Sequence, residues 1–154
     1  MTEVRRSIVV GIAAAAVLLV LISASSWLEM RYTKAGNFMR DSAVEMQKQD
    51  FSRDYFAKYG DPTDFLGRWL RLNMFVVQPG LCLLIGICIG RFTTHIVIAS
   101  LIGVAPIISM YGLLPLINAL TAGSMMACLL ACWSSARVTR LVLERPPRPL
   151  AIAE

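Results

Sequence analysis

Charge is absent from three stretches of this sequence, Ser7–Leu28, Leu72–Gly90 and Phe92–Ala136, and that absence sets the class of protein. A bilayer crossing takes about 20 apolar residues at about 1.5 Å each. The first two stretches fit one crossing each. The third, 45 residues long, overshoots a single helix about twofold and has to fold back on itself.

Other scarcities exclude chemistry. There is one histidine, His95, whereas a haem held across a bundle takes two and a protein zinc site three or four ligands. The chain therefore builds neither alone, and no cofactor is expected; the single option left open for His95 is one ligand to a cofactor shared with another subunit. No Ser-His-Asp or Cys-His set, paired carboxylates or phosphate loop is present, and the apolar stretches hold none of the ionisable residues on which coupled transporters and intramembrane enzymes rely. Thiol exchange needs a reactive pair near the surface. Cys82, Cys88, Cys128 and Cys132 are instead spaced six and four residues apart inside apolar runs, where Cys88 and Cys128 share a depth and one contact between them is possible. An oxidoreductase is the weakest of the functional readings.

What is present agrees with a membrane setting. Apolar residues make up 56% of the 154, against about 45–50% in soluble domains. The net charge of +5 is spread through connecting segments, and Arg137, Arg140, Arg145 and Arg148 directly follow an apolar run, a pattern suited to anionic headgroups and not to nucleic acid. The expected fold is an all-α membrane protein forming one integral domain over residues 1–154. Its four transmembrane helices are placed at about 7–27, 73–90, 94–111 and 113–134, with a mainly helical outer segment at 28–72 and a tail at 135–154. Tyr111, Gly112 and Pro115 make the last hairpin, which carries no Lys or Arg, while Arg91 and the tail arginines flank the opposite ends of the same helices. That asymmetry puts both termini in the cytoplasm, the expected membrane being a bacterial inner membrane. The eight basic and seven acidic residues of Glu29–Arg71 weaken the asymmetry. Arg5, Arg6, an apolar run to Ile22 and Ser23-Ala24-Ser25-Ser26 also have the layout of a signal peptide, although the 22-residue run is long enough to span and is read as a retained helix.

Within the outer segment, Asn37 is the expected cap of a helix running to about Gln49, and Asp50 or Ser52 opens a second that stops at Gly60. Asp61-Pro62-Thr63-Asp64 is a cap followed by Pro at the first helical position. From there Phe65, Leu66, Trp69, Leu70 and Met74 share one face, so this helix is expected either to lie at the interface before the second span or simply to extend it. Small residues recur every four positions in the later spans: Cys82, Gly86 and Gly90; Ala99 and Gly103; Ala119, Gly123, Ala127 and Ala131, with Ser124, Cys128 and Cys132 in an adjacent row. Such rows let backbones approach closely. Gln78 and Asn118, the strongly polar side chains well inside the spans, lie at similar depth and are expected to hydrogen-bond, the alternative being a small polar pocket. Phe51, Tyr55, Phe56, Tyr59, Phe65 and Trp69 form a candidate anchor set for a protein partner or a cover for the outer mouth of the bundle. The leading functional expectation is a non-enzymatic accessory or scaffold subunit whose partners are membrane lipids and other membrane subunits or itself. The alternative is a small homo-oligomeric channel, carrier or lipid-binding protein.

Overall fold

A computed structural model of the chain describes residues 3–48, 59–112 and 119–144. They are almost entirely helical, with no strand among them: α1 (Glu3–Tyr32), α2 (Lys34–Lys48), α3 (Pro62–Leu72), a π-helical turn (Asn73–Val77), α4 (Gln78–Phe92), α5 (Ile96–Gly112) and α6 (Ala119–Leu143). Three helices, Glu3–Tyr32, Thr63–Phe92 and Ala119–Leu143, are long and apolar enough to cross a membrane. Together they mark the chain as a membrane protein. α5 is also apolar but has 17 residues.

The long helices outrun the expected spans for local reasons. α1 continues to Tyr32 because nothing from Ser7 to Tyr32 breaks a helix; the turn comes at Thr33, whose hydroxyl donates to Glu29 O (2.7 Å) and accepts from Gly36 N (3.0 Å). Thr33, and not Asn37, therefore starts α2. Asn37 lies inside that helix and accepts from Arg40 Nη2 at 3.1 Å. Asp61 caps α3, accepting from Thr63 N at 2.8 Å, and Gly60 ahead of it takes the left-handed backbone (φ 73°) that glycine adopts without steric cost. A helix expected to end at Gly60 falls largely on residues 49–58, outside the described residues. α3 runs without a break through the π turn into α4, so it is the extension of the second span and not a separate helix.

Thr93 ends α4 in an extended conformation (φ −140°, ψ 151°), and His95 N donates to its hydroxyl at 3.3 Å. This turn moves the start of α5 to Ile96. The hairpin residues 113–118 lie outside the described residues.

Ser7 contacts Thr93, and Glu29 meets Asn73, so α1 and α4 are antiparallel. Gly11 packs on Ala99 and Ile102, and Gly103 on Ala14, with numbers rising together, so α1 and α5 are parallel. Gly86 packs on Cys132 and Gly90 on Ala136, so α4 and α6 are parallel too. The core of buried Leu18, Ile85, Ile89, Val104 and Ile107 lies between these pairs. Large apolar side chains such as Val20, Met126, Leu130 and Val138 point outward, as lipid-facing residues do. The bundle has two polar ends, one at Ser7 and Thr93, the other at Glu29 and Asn73. Along α1 they lie 22 residues apart, about 33 Å by helix rise, close to the thickness of a bilayer's hydrocarbon core.

Candidate functional site

The Glu29 end contains a cavity of about 350 Å³ between α1, α2, α3, the π turn, the start of α4 and the end of α5. Its walls are largely apolar and rich in methionine: Met30, Met39, Met74 and Met110 all line it. Methionine is unbranched and polarisable, and suits a surface that adapts to its occupant.

Proline chemistry shapes one wall. Gln78 N donates to Asn73 O, the five-residue register of a π turn. The next residue in that register, Pro79, has no N–H to give to Met74 O. Ser124 Oγ of α6 supplies the missing donor at 2.8 Å. The wider turn carries Asn73, Met74, Val77 and Gln78 onto the cavity wall. Such turns occur often at functional sites.

Polar groups converge at the same place. Asn73 Nδ2 donates to both carboxylate oxygens of Glu29, at 2.9 and 2.8 Å, and Ser25 Oγ donates to one of them at 3.2 Å. Tyr111 Oη donates to Gln78 Oε1 at 2.6 Å; both side chains are buried. Trp69 lines the cavity, and its Nε1 is buried with no hydrogen-bond partner among the described residues. An unpaired buried N–H costs about 1–3 kcal/mol.

The structure distributes the expected site residues unevenly. Gln78 meets Tyr111, while its expected partner Asn118 lies outside the described residues. Cys82, Gly86 and Gly90 face the row Ser124, Cys128, Cys132 and Ala136, so this close-packed partner is another helix of the same chain. A methyl group on Gly86 would overlap Cys132 O and Ser135 Oγ, and one on Gly90 would overlap Ala136 O. Ala99 and Gly103 are buried; Ala127 and Ala131 are half-buried; Ala119 and Gly123 are exposed, because the neighbouring row of α6 turns inward. Cys128 lies against Cys82, whereas Cys88 faces outward on the α1 side, so the Cys88–Cys128 contact that the sequence left possible is not formed. His95 Nε2 lies 3.6 Å from Glu3, and no group of three metal-ligating side chains occurs among the described residues.

Of the aromatic set, Tyr59 is only 6% exposed, donates to Asp41 and stands edge-on to Phe38 at 5.4 Å. Phe65 stands edge-on to the same ring at 5.3 Å. Both rings make contacts within the chain. Phe51, Tyr55 and Phe56 lie outside the described residues. Glu29, Asn73 and Tyr111 were not singled out from sequence as site residues. A proline six residues past Asn73, which frees a carbonyl in the middle of a span, was the available signal.

Comparison with protein-family models, with curated proteins and with solved structures returns no match to this chain.

Proposed function

We propose that this chain is a non-enzymatic membrane protein of four spans, with both termini cytoplasmic, that binds an amphipathic lipid-like molecule in the cavity at the Glu29 end. The observation that carries the reading is Trp69. Trp69 lines the same apolar, methionine-rich cavity as Glu29, whose carboxylate Asn73 holds, and the buried indole N–H has no partner among the described residues. A ligand with an apolar body and a carbonyl or ether acceptor matches that wall: the body replaces lipid contact and the acceptor satisfies the indole. The fourth span is supported by α5 running beside α1 from the Thr93 end to Tyr111, between the same polar ends as the longer helices. The arginine-free hairpin supports the orientation.

Trp69→Phe keeps an aromatic ring and removes the donor together with part of the indole. The protein extracted in mild detergent should carry its lipid-like ligand by native mass spectrometry, and the variant should lose about 5- to 100-fold in occupancy, the equivalent of one buried hydrogen bond. Equal occupancy in both proteins removes the reading.

A second reading is an accessory subunit. It draws on Trp27 and Tyr32, which stand exposed at the same end with Arg31 over their rings at 5.2 and 6.0 Å. Copurification of a distinct protein that depends on Trp27 and Tyr32, with no ligand retained, favours it.

A further inference from the structure

The opposite end of the bundle holds a second, separate site. A cavity of about 230 Å³ there is lined by Arg6 of α1, Arg91 of α4, Arg140 of α6, and Glu3 and Thr94. Three arginines arrive from three helices far apart in sequence. Their local pairing is unequal. Glu3 is occupied by Thr94 Oγ1 at 2.9 Å and faces His95 at 3.6 Å; Arg140 Nε is bound to Glu144 at 2.6 Å. Arg6 and Arg91 have no acidic partner within ion-pair distance among the described residues. They are the two charges available to an anion.

Phe92, exposed and next to Arg91, borders this cavity and also a groove of about 370 Å³ between α1 and α4. The groove is apolar apart from the Cys88 thiol: Val9, Ala13 and Val17 form one bank, Ile85 and Ile89 the other. Small side chains, Ala13 and Ala14, line its α1 side. From Val9 to Val17 the groove extends about 12 Å along the axis, most of the depth of one leaflet.

We propose that this seam binds one anionic phospholipid, its phosphodiester on Arg6 and Arg91 and one acyl chain in the groove. Charge and shape each select that occupant. A free anion has no use for the groove, and a neutral lipid has no use for unpaired guanidinium groups. Basic pockets between membrane helices are suited to anionic headgroups in general.

The test uses the full chain in neutral detergent, titrated with phosphatidylglycerol, with phosphatidylcholine of the same acyl chains, or with inorganic phosphate, followed by thermal stability and native mass spectrometry. Phosphatidylglycerol should bind and raise Tm well beyond the other two. Arg6→Gln with Arg91→Gln should weaken it about 25-fold, at roughly fivefold per arginine. Ala13→Phe, which fills the groove and leaves both arginines, should weaken it independently. Both side chains replaced in the double variant are exposed, so the unliganded Tm should stay near that of the parent. Equal response to phosphatidylcholine, full response to phosphate alone, or undiminished binding by either variant overturns the proposal.

Discussion

Glycine at position 86 is an example of a residue whose value depends on where its missing side chain would go. Gly86 and Gly123 look alike in sequence, each within a row of small residues. In the fold, an added methyl on Gly86 meets the backbone carbonyl of Cys132, while on Gly123 it meets only the Phe75 ring at 3.8 Å. Overpacking a close seam costs about 1–3 kcal/mol, and more when backbone has to move. Gly86→Ala should therefore lower Tm clearly in detergent, and Gly123→Ala should leave it nearly unchanged. Equal effects at the two positions would contradict the seam. At the start of α3, hydrogen bonds from the Thr63 side chain and then its backbone N–H hold the Asp61 carboxyl below its ordinary value of 3.8. A group with a lowered folded-state pKa contributes fully above the unfolded value and loses that contribution as pH falls through the lowered one. Protection of the first-turn amides of α3, relative to their intrinsic exchange rate, should thus fall only below about pH 4. Asp61→Ala should remove that dependence.

Elements are joined here by backbone groups that the local sequence leaves unsatisfied. The π turn at Asn73–Val77 frees Met74 O because Pro79 has no donor, and Ser124 answers from a helix 50 residues away. Ser124→Ala should cost about 0.6–2 kcal/mol, the range for hydrogen bonds between helices in membranes. Pro79→Ala restores a backbone N–H and should reduce that cost, so the double variant should be more stable than the two single losses added together. Strict additivity would separate Pro79 from Ser124. The helical character of α1, α4, α5 and α6, and the cap at Asp61, were legible as charge-free runs and as a cap followed by proline. The start of α2 was not. Asn37 and Thr33 are both acceptable caps by type, and the choice fell to Thr33 because Gly36 packs directly on the backbone of Glu29 and Met30, which fixes where the chain turns.

At the scale of the whole molecule, the two parallel pairs carry the polar groups to two ends about 33 Å apart by helix rise. If α5 also crosses, Gly112→Cys in a chain lacking its native cysteines should react with an impermeant thiol reagent from outside, and Ala151→Cys should not. The reverse pattern would invert the orientation. Membrane character followed from the sequence alone, because the absence of charge over a bilayer's length is a local property that no fold can alter. So did the presence of small-residue faces. Which of those faces closes on which was decided by tertiary structure: the rotation of α6 buries Ser124, Cys128 and Cys132 and leaves Gly123 outside. The cavity at Glu29 and the arginine seam were likewise set only by folding. Asn73 lies 44 residues from Glu29 and Arg91 lies 85 from Arg6, and no periodicity along a helix can report a meeting between side chains on different helices.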